Sequence, residues 1–489
     1  MRLVEFTTSV QKIRYEVLRE VSYLAFNDQL DDGLDEVPYK IISGSKARFR
    51  CCIYKEREIV RERVRLACGL LPYGAKGNRK DGQIVYVIEE ACEGCPISRF
   101  QVTENCQGCM TKRCREACPF GAITIAGKRA YIDQDKCREC GRCKDACPYN
   151  AIADLMRPCK RSCPVDAISM DEDKKAVIDE GKCINCGACV RECPFGAMAD
   201  ISYIVDVIEE IKGKGSVYAI FAPSIEGQFA QDINVNMIKG ALLELGFDGA
   251  FEVALGADAI ALHEAEEVLE AIDEGKFKTT SCCPAFVSMV DKHFPKLIPN
   301  ISNTVSPMVA MARYIKEKDP KGKVVFIGPC MAKKHEMISD WARDYVDYVL
   351  TFEEIIAMLD AKKIEFDEER GEREASTYGV GFAQSGGVVN AVNKIVKEKQ
   401  LENKIIPRSC NGATECKKAL AIANAGKLME NLIEGMVCEG GCIGGPGSIT
   451  ETNTAKRNIN KKIIGNNIDK ITENVKKFNF DSIDLDKKI

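Results

Sequence analysis

Val324-Val325-Phe326-Ile327-Gly328-Pro329-Cys330-Met331-Ala332-Lys333-Lys334 is the stretch on which the fold turns. Four apolar residues read as a strand, Gly-Pro ends it, and a cysteine stands directly beyond the break. Runs of the same kind occur at Val217 to Phe221, Phe251 to Leu255 and Tyr345 to Leu350, interspersed with helical patterns at Met237 to Leu245, Ala259 to Ile272 and Phe352 to Leu359. That alternation predicts a mixed α/β domain over about residues 212–450, with largely parallel sheets covered by helices. Ligand sites in such sheets lie beyond the carboxyl ends of the strands. Ala222-Pro223-Ser224, Ser281-Cys282-Cys283 and Gly328-Pro329-Cys330 each follow a strand and can converge there.

The converging segments are rich in thiols. Cys283 in Thr280-Ser281-Cys282-Cys283-Pro284, Cys330, and Cys438 with Cys442 make one full ligand set for a cubane iron-sulfur cluster. Gly440, Gly441, Gly444 and Gly445 crowd the last pair and let backbone approach a cluster closely. Cys282 is left over, and a spare thiol beside a metal site is a candidate for acid-base chemistry.

The chain has 26 cysteines among its 489 residues, and 16 of them fall between Cys92 and Cys193. In a chain this long, whose start has no apolar signal region, that density favours metal ligation over disulfides. None of the three histidines precedes His263, so clusters in the first half must be held without histidine. The spacing C-x2-C-x2-C-x3-C-P of bacterial ferredoxins occurs at Cys137, Cys140, Cys143, Cys147 and at Cys183, Cys186, Cys189, Cys193. Cys106, Cys109, Cys114 and Cys118 form a third copy with two extra residues in one gap. Cys159 and Cys163 keep half of a fourth, which Cys92 and Cys95 can complete if one two-cluster unit, about 106–150, is inserted in another.

In paired ferredoxin runs the fourth cysteine ligates the other cluster. The predicted sets are therefore Cys106, Cys109, Cys114 with Cys147; Cys137, Cys140, Cys143 with Cys118; Cys92, Cys95, Cys159 with Cys193; and Cys183, Cys186, Cys189 with Cys163. Zinc or plain buried thiols are the alternative, chiefly for the split set.

Residues 1–90 read as a helical segment, 91–205 as the ferredoxin-like α+β region, and 451–489 as a helical tail with Ile464, Ile468, Ile471, Val475 and Phe478 on one stripe and no chemistry. Cys51, Cys52 and Cys68 lack ligand spacing and read as buried structural thiols, an extra cluster being the other reading. Cys410 and Cys416, in Cys-Asn-Gly-Ala-Thr-Glu-Cys, also read as buried structural thiols, binding of some ligand being the other reading. A net charge of -4 gives no basis for a nucleic-acid or membrane partner, and no run approaches membrane-spanning length, which makes the cytoplasm the expected location.

The three segments around Cys283, Cys330 and Cys438/Cys442 resemble the signature motifs of the iron-only (FeFe) hydrogenases. The resemblance implies that these four cysteines hold a 4Fe-4S cubane and that Cys442 bridges to a di-iron unit with CO, cyanide and azadithiolate ligands. It further implies that Cys282 passes protons to the bridging amine, Lys333 hydrogen-bonds a cyanide, Pro223 and Ser224 cradle the other, and Met436 packs over the di-iron unit. A proton route through Cys282, Glu264, Ser302 and Glu267 follows from the same likeness, as does a bracing role for Glu336. Glu264 and Glu267 share a helix face, and a solvated face is their ordinary alternative. The implied reaction joins protons and electrons into dihydrogen, with electrons from a ferredoxin or similar small carrier and cofactor insertion by maturation proteins. The other reading is a hydrogenase-like iron-sulfur protein without the di-iron unit. Gly328, Phe286 and Met308 depart from the commonest family residues, methionine, tryptophan and glutamine, and mark a divergent subgroup.

Overall fold

The computed structural model describes residue 6 and residues 8–75, 82–230, 232–402 and 404–487. At the amino-terminal side, helices Ser9–Phe26 and Ile53–Ala67 bury Val17, Val21 and Leu24, and Ile59, Val60 and Val64. Thr8 caps the first by accepting from Gln11 N at 3.1 Å. That helix packs on helix Phe352–Ala361 of the α/β region, so the segment shares the main core. The expectation of buried thiols here needs correction: Cys51 is exposed, and Cys52 and Cys68 are half-buried. The backbone N-H groups of Arg48, Phe49 and Arg50 wrap around the buried Glu56 carboxylate, and this turn leaves Cys51 facing outward.

The cysteine-rich region forms four antiparallel two-stranded pairs. Val85–Val87 pairs with Met198–Asp200, and Ile168–Met170 with Ala176–Ile178. Between the partners of the first pair, Phe100–Val102 pairs with Ile152–Asp154, and Ile123–Ala126 with Arg129–Ile132. The second group, with its own small core of Phe100, Ile123, Ala130 and Ile152, thus lies inside a connection of the first.

Beyond residue 212, strands Gly249–Glu252, Val217–Phe221, Lys323–Ile327 and Tyr348–Leu350 form a parallel sheet in that spatial order. A second parallel sheet orders Lys278–Thr279, Leu432–Met436 and Pro407–Asn411. Two predicted strands are shorter than expected. Val253 to Leu255, read as strand, open helix Val253–Asp273, where Gly256 comes so close to helix Pro307–Lys318 that a Cβ would lie 2.7 Å from Pro307 O. Tyr345 and Val346 close a turn onto Ala342 O, so that strand starts at Tyr348. The predicted single tail helix is two, Thr452–Ile464 and Ile471–Lys477, separated at Gly465, and Ile464 is 84% exposed.

Buried charges join the parts. Lys334, with no exposed surface, donates to Asp200 Oδ2 (2.8 Å), Ile201 O (2.7 Å) and Glu354 Oε1 (3.0 Å). Arg14 adds an ion pair to Glu353 at 2.7 Å. The end of the cysteine-rich region, the first helix and the segment after Cys330 are thereby held in one network, costly to break because each charge would lose its partner in a dry site. No helix among the described residues is long and apolar enough to cross a membrane.

Candidate metal centre and proton path

Each thiol of the predicted cubane set sits where a parallel strand ends. Cys283 follows Lys278–Thr279 and caps helix Pro284–His293, whose first position is the proline that tolerates the missing N-H. Cys330 stands three residues beyond Lys323–Ile327. Cys438 stands two beyond Leu432–Met436, and Cys442 opens a short 3-10 turn. Gly440 and Gly441 make the sharp bend between them with φ of +85° and +86°. A Cβ on Gly441 would lie 2.6 Å from Ser385 N, so side chains are excluded there on two grounds.

These thiols influence one another. Cys330 is raised by burial and by its neighbours Cys283 and Cys442; Cys438 is raised by burial, then by Cys330, Cys283 and Cys442. Cys442 is pushed up to about 11, again first by burial and then by Cys283. Four thiols in a low-dielectric site stay protonated unless a cationic centre compensates them, and a metal cluster does that. Among the described residues no three Cys, His, Asp or Glu side chains converge tightly enough for a single metal ion. All 26 cysteines are free of disulfides.

Two buried hydroxyls lie on segments that follow or precede these motifs. Ser224 Oγ, next in sequence to half-buried Pro223, and Ser306 Oγ, two residues before Met308, are buried without a hydrogen-bond partner, and Met436 is 2% exposed. The Lys333 ammonium donates to Glu336 Oε2 at 2.6 Å and to Cys282 O at 3.4 Å. Glu336, expected to brace the loop, holds that ammonium within it. A fixed cation, orphaned hydroxyls and four mutually opposed thiols fit an anionic iron cofactor with polar ligands.

Cys282 is set apart from the four. Burial pushes its thiol well up, followed by the charges of Glu264 and Cys283. Glu264 is 1% exposed, which rules out a solvated face; its Oε1 accepts from Ser281 N at 3.4 Å and its Oε2 has no partner. Burial raises this carboxyl to about 8, against the pull of the Ser281 N-H. Ser302 Oγ donates to Glu267 Oε2 at 2.5 Å and lies 2.9 Å from Thr304 Oγ1. Glu267 behaves oppositely to Glu264: its hydrogen bonds to Lys278 and Ser302 outweigh partial burial and keep it below the ordinary value. Lys278 Nζ sits 2.7 Å from Glu267 Oε1.

Three contributors escaped the sequence reading. Thr304 accepts from Ser281 Oγ through its carbonyl and links Ser302 to Glu267; nothing in its local sequence announces this. Lys278 is visible only as a strand residue. Glu434 carried a signal, being a carboxylate in the middle of the apolar run Leu432 to Met436; it is fully buried, accepts from Gly386 N and Val388 N, and acts on Cys282. Of the histidines, His263 Nδ1 contacts Thr304 Oγ1 at 3.1 Å, His293 Nε2 contacts Lys182 O at 2.9 Å, and His335 Nδ1 contacts Gly82 O at 2.9 Å.

The upstream cysteines gather in groups. One small cavity is walled by Cys106, Cys109, Cys114 and Cys147, and another by Cys118, Cys137, Cys140 and Cys143. Cys159 is raised to about 11 by burial and then by Cys193, Cys92 and Cys95. Cys183 feels Cys163, and Cys186, pushed by burial to about 12, feels Cys183, Cys163 and also Cys283. Cys189 feels Cys159. Cys410 and Cys416 are buried and hydrogen-bond to each other.

Residues 215–446 match the family described as iron only hydrogenase large subunit, C-terminal domain. Residues 105–151 and 157–197 each match a 4Fe-4S dicluster domain. Iron hydrogenase 1 of Clostridium pasteurianum is 30% identical over 285 residues, 47% of this chain and 50% of that protein. The NADP-reducing hydrogenase subunit HndD of Solidesulfovibrio fructosivorans is 26% identical over 307 residues, 50% of this chain and 52% of the relative. The chain thus spans about half the length of these two relatives. The cytosolic Fe-S cluster assembly factor NAR1 of Kluyveromyces lactis is 34% identical over 96 residues, 20% of each chain.

Proposed function

Because residues 215–446 belong to the iron-only hydrogenase family, we propose that the chain interconverts dihydrogen with two protons and two electrons. The observation that carries this reading is Cys282, a thiol outside the four-cysteine set that burial raises first and the charge of the buried Glu264 second, with Glu264 bonded to the neighbouring Ser281 N-H. A protein that only holds cubanes has no use for such a pair.

In this reading Cys283, Cys330, Cys438 and Cys442 would hold a 4Fe-4S cubane, and Cys442 would also help to hold a di-iron unit with CO, cyanide and azadithiolate ligands. That unit supplies the metal chemistry of making or splitting dihydrogen. Lys333, kept cationic by Glu336, would donate to a cyanide; Pro223 and Ser224 would cradle the second, and Met436 would exclude water. Cys282 holds the proton nearest the cofactor. Glu264 exchanges it, and Ser302, Thr304 and Glu267 continue the route toward the surface, where Lys278 steadies the last carboxylate.

The crossed cysteine sets would hold four 4Fe-4S clusters, which would supply an electron route to the cubane. The influence of Cys283 on Cys186, and of Cys159 on Cys189, supports an order in which the Cys183 set is next to the cubane and the Cys92 set follows. A small ferredoxin-type carrier in the cytoplasm is the partner this entry suits, and maturation proteins would insert the di-iron unit. The test is C282S. Iron content and cluster spectra should match the wild type while hydrogen turnover falls by about 10²-fold or more; wild-type turnover would overturn the assignment.

The likeness to an Fe-S cluster assembly factor favours a second reading, a cubane-binding protein without the di-iron unit. The two differ in whether metal-bound CO and cyanide are present after maturation.

A further inference from the structure

The segment Asp484 to Lys487, beyond the tail helices, runs back along residues 303–305. Val305 N donates to Leu485 O at 2.8 Å, Lys487 N to Asn303 O at 2.7 Å, and Asp486 forms an antiparallel bridge with Thr304. Arg313 Nη1 locks the segment by donating to Asp484 O (2.6 Å) and Asp486 O (2.9 Å). The tail is therefore tied by one antiparallel bridge to the backbone that carries Ser302 and Thr304.

This pairing directs Lys487 into a cavity of about 340 Å³ whose wall includes Ser281, Ser302, Glu336 and Trp341. The ammonium sits 5.5 Å from the Trp341 ring centroid, a cation-π contact that fixes its direction. Burial lowers the pKa of this ammonium, while the charges of Glu336 and Glu264 hold its proton on, Lys333 opposes them and Cys282 adds to them. Of the other charges at the cavity, Lys292 donates to Glu180 O and Cys183 O and His335 contacts Gly82 O, while Asp291 also lines the wall. Around Glu264, Glu267 and Glu434 repel a carboxylate, whereas Lys487 attracts one.

A buried carboxyl can donate its proton repeatedly only if its anion is tolerated, and a nearby cation supplies that tolerance. We propose that Lys487 is a positioning residue for proton transfer, its ammonium stabilising the carboxylate that Glu264 becomes each time it passes on a proton. The proposal rests on the relay reading of Glu264.

The experiment is infrared difference spectroscopy of the full-length, cluster-containing protein across pH, in H2O and D2O, with E264Q used to assign the Glu264 carboxyl band. The band's midpoint should rise by about one pH unit in K487M and stay near the wild-type value in K487R. The high-pH limb of hydrogen evolution in matured protein should move with it. An unchanged midpoint in K487M, with the wild-type melting temperature, overturns the proposal. If K487M loses the tail's packing, K487Q and K487R are compared, and equal midpoints in those two overturn it. Failure of the relay reading is separate: E264Q would then turn over like the wild type even if Lys487 sets the midpoint.

Discussion

Replacing Glu264 by glutamine removes one titrating oxygen from a buried position and leaves volume and neighbours nearly unchanged. With its midpoint raised by burial to about 8, the carboxyl is about 90% protonated at pH 7, whereas a carboxyl at the ordinary 4.5 would be about 0.3% protonated. Burial thus raises the population of proton-carrying Glu264 by about 300-fold at neutral pH. The sign follows for each direction. Hydrogen evolution needs the protonated form as donor, so its rate should hold below pH 8 and fall as pH rises through about 8. Hydrogen oxidation needs the carboxylate as acceptor and should rise over the same interval. E264Q can do neither and should lose about 10²- to 10⁴-fold in both directions, with the limb near pH 8 gone. The assay is hydrogen evolution and uptake with an artificial one-electron dye from pH 6 to 9. Wild-type rates in E264Q, or a wild-type profile without a break near pH 8, would refute the reasoning.

Two further outcomes concern assembly. G441A forces a φ of +86° on a residue with a Cβ and drives that atom against Ser385 N, whereas G386A bears a similar φ of +88° in open space. G386A should cost about 1 kcal/mol and keep full iron, while G441A should cost about 2–5 kcal/mol and lose the cubane, read by iron analysis and electron paramagnetic resonance. C92S tests the split ferredoxin: matured wild type should hold about 22 iron atoms and the variant about four fewer, with the cubane signal intact. An unchanged iron count would remove Cys92 from the ligand set.

How far the sequence carried the fold can be judged at particular residues. The strands Val217–Phe221 and Lys323–Ile327 were legible because four or five consecutive apolar residues end at Ala-Pro or Gly-Pro, a local signal. The boundary at Glu252 was not, since Val253 to Leu255 are equally apolar and become helical only by packing on Pro307–Lys318. The tail stripe from Ile464 to Phe478 satisfied helical spacing, yet the break at Gly465 separates it. At the site, cysteine spacing announces ligands because thiols are rare and chemically committed. Thr304, Lys278 and Lys487 belong to common residue types that reach the path through pairings from 11 residues (Lys278 with Glu267) to more than 180 residues (Lys487 with Asn303) away, and no local pattern encodes such contacts. Glu434 lies between these cases, a charge inside an apolar strand that only burial without full pairing makes informative.

The measurement that tests the central claim most directly is infrared spectroscopy of the anaerobically matured protein. The account predicts bands of metal-bound CO and cyanide that shift when the protein is exposed to dihydrogen. Their absence after maturation that activates another hydrogenase in parallel would contradict it and leave a cubane-holding protein without hydrogen chemistry.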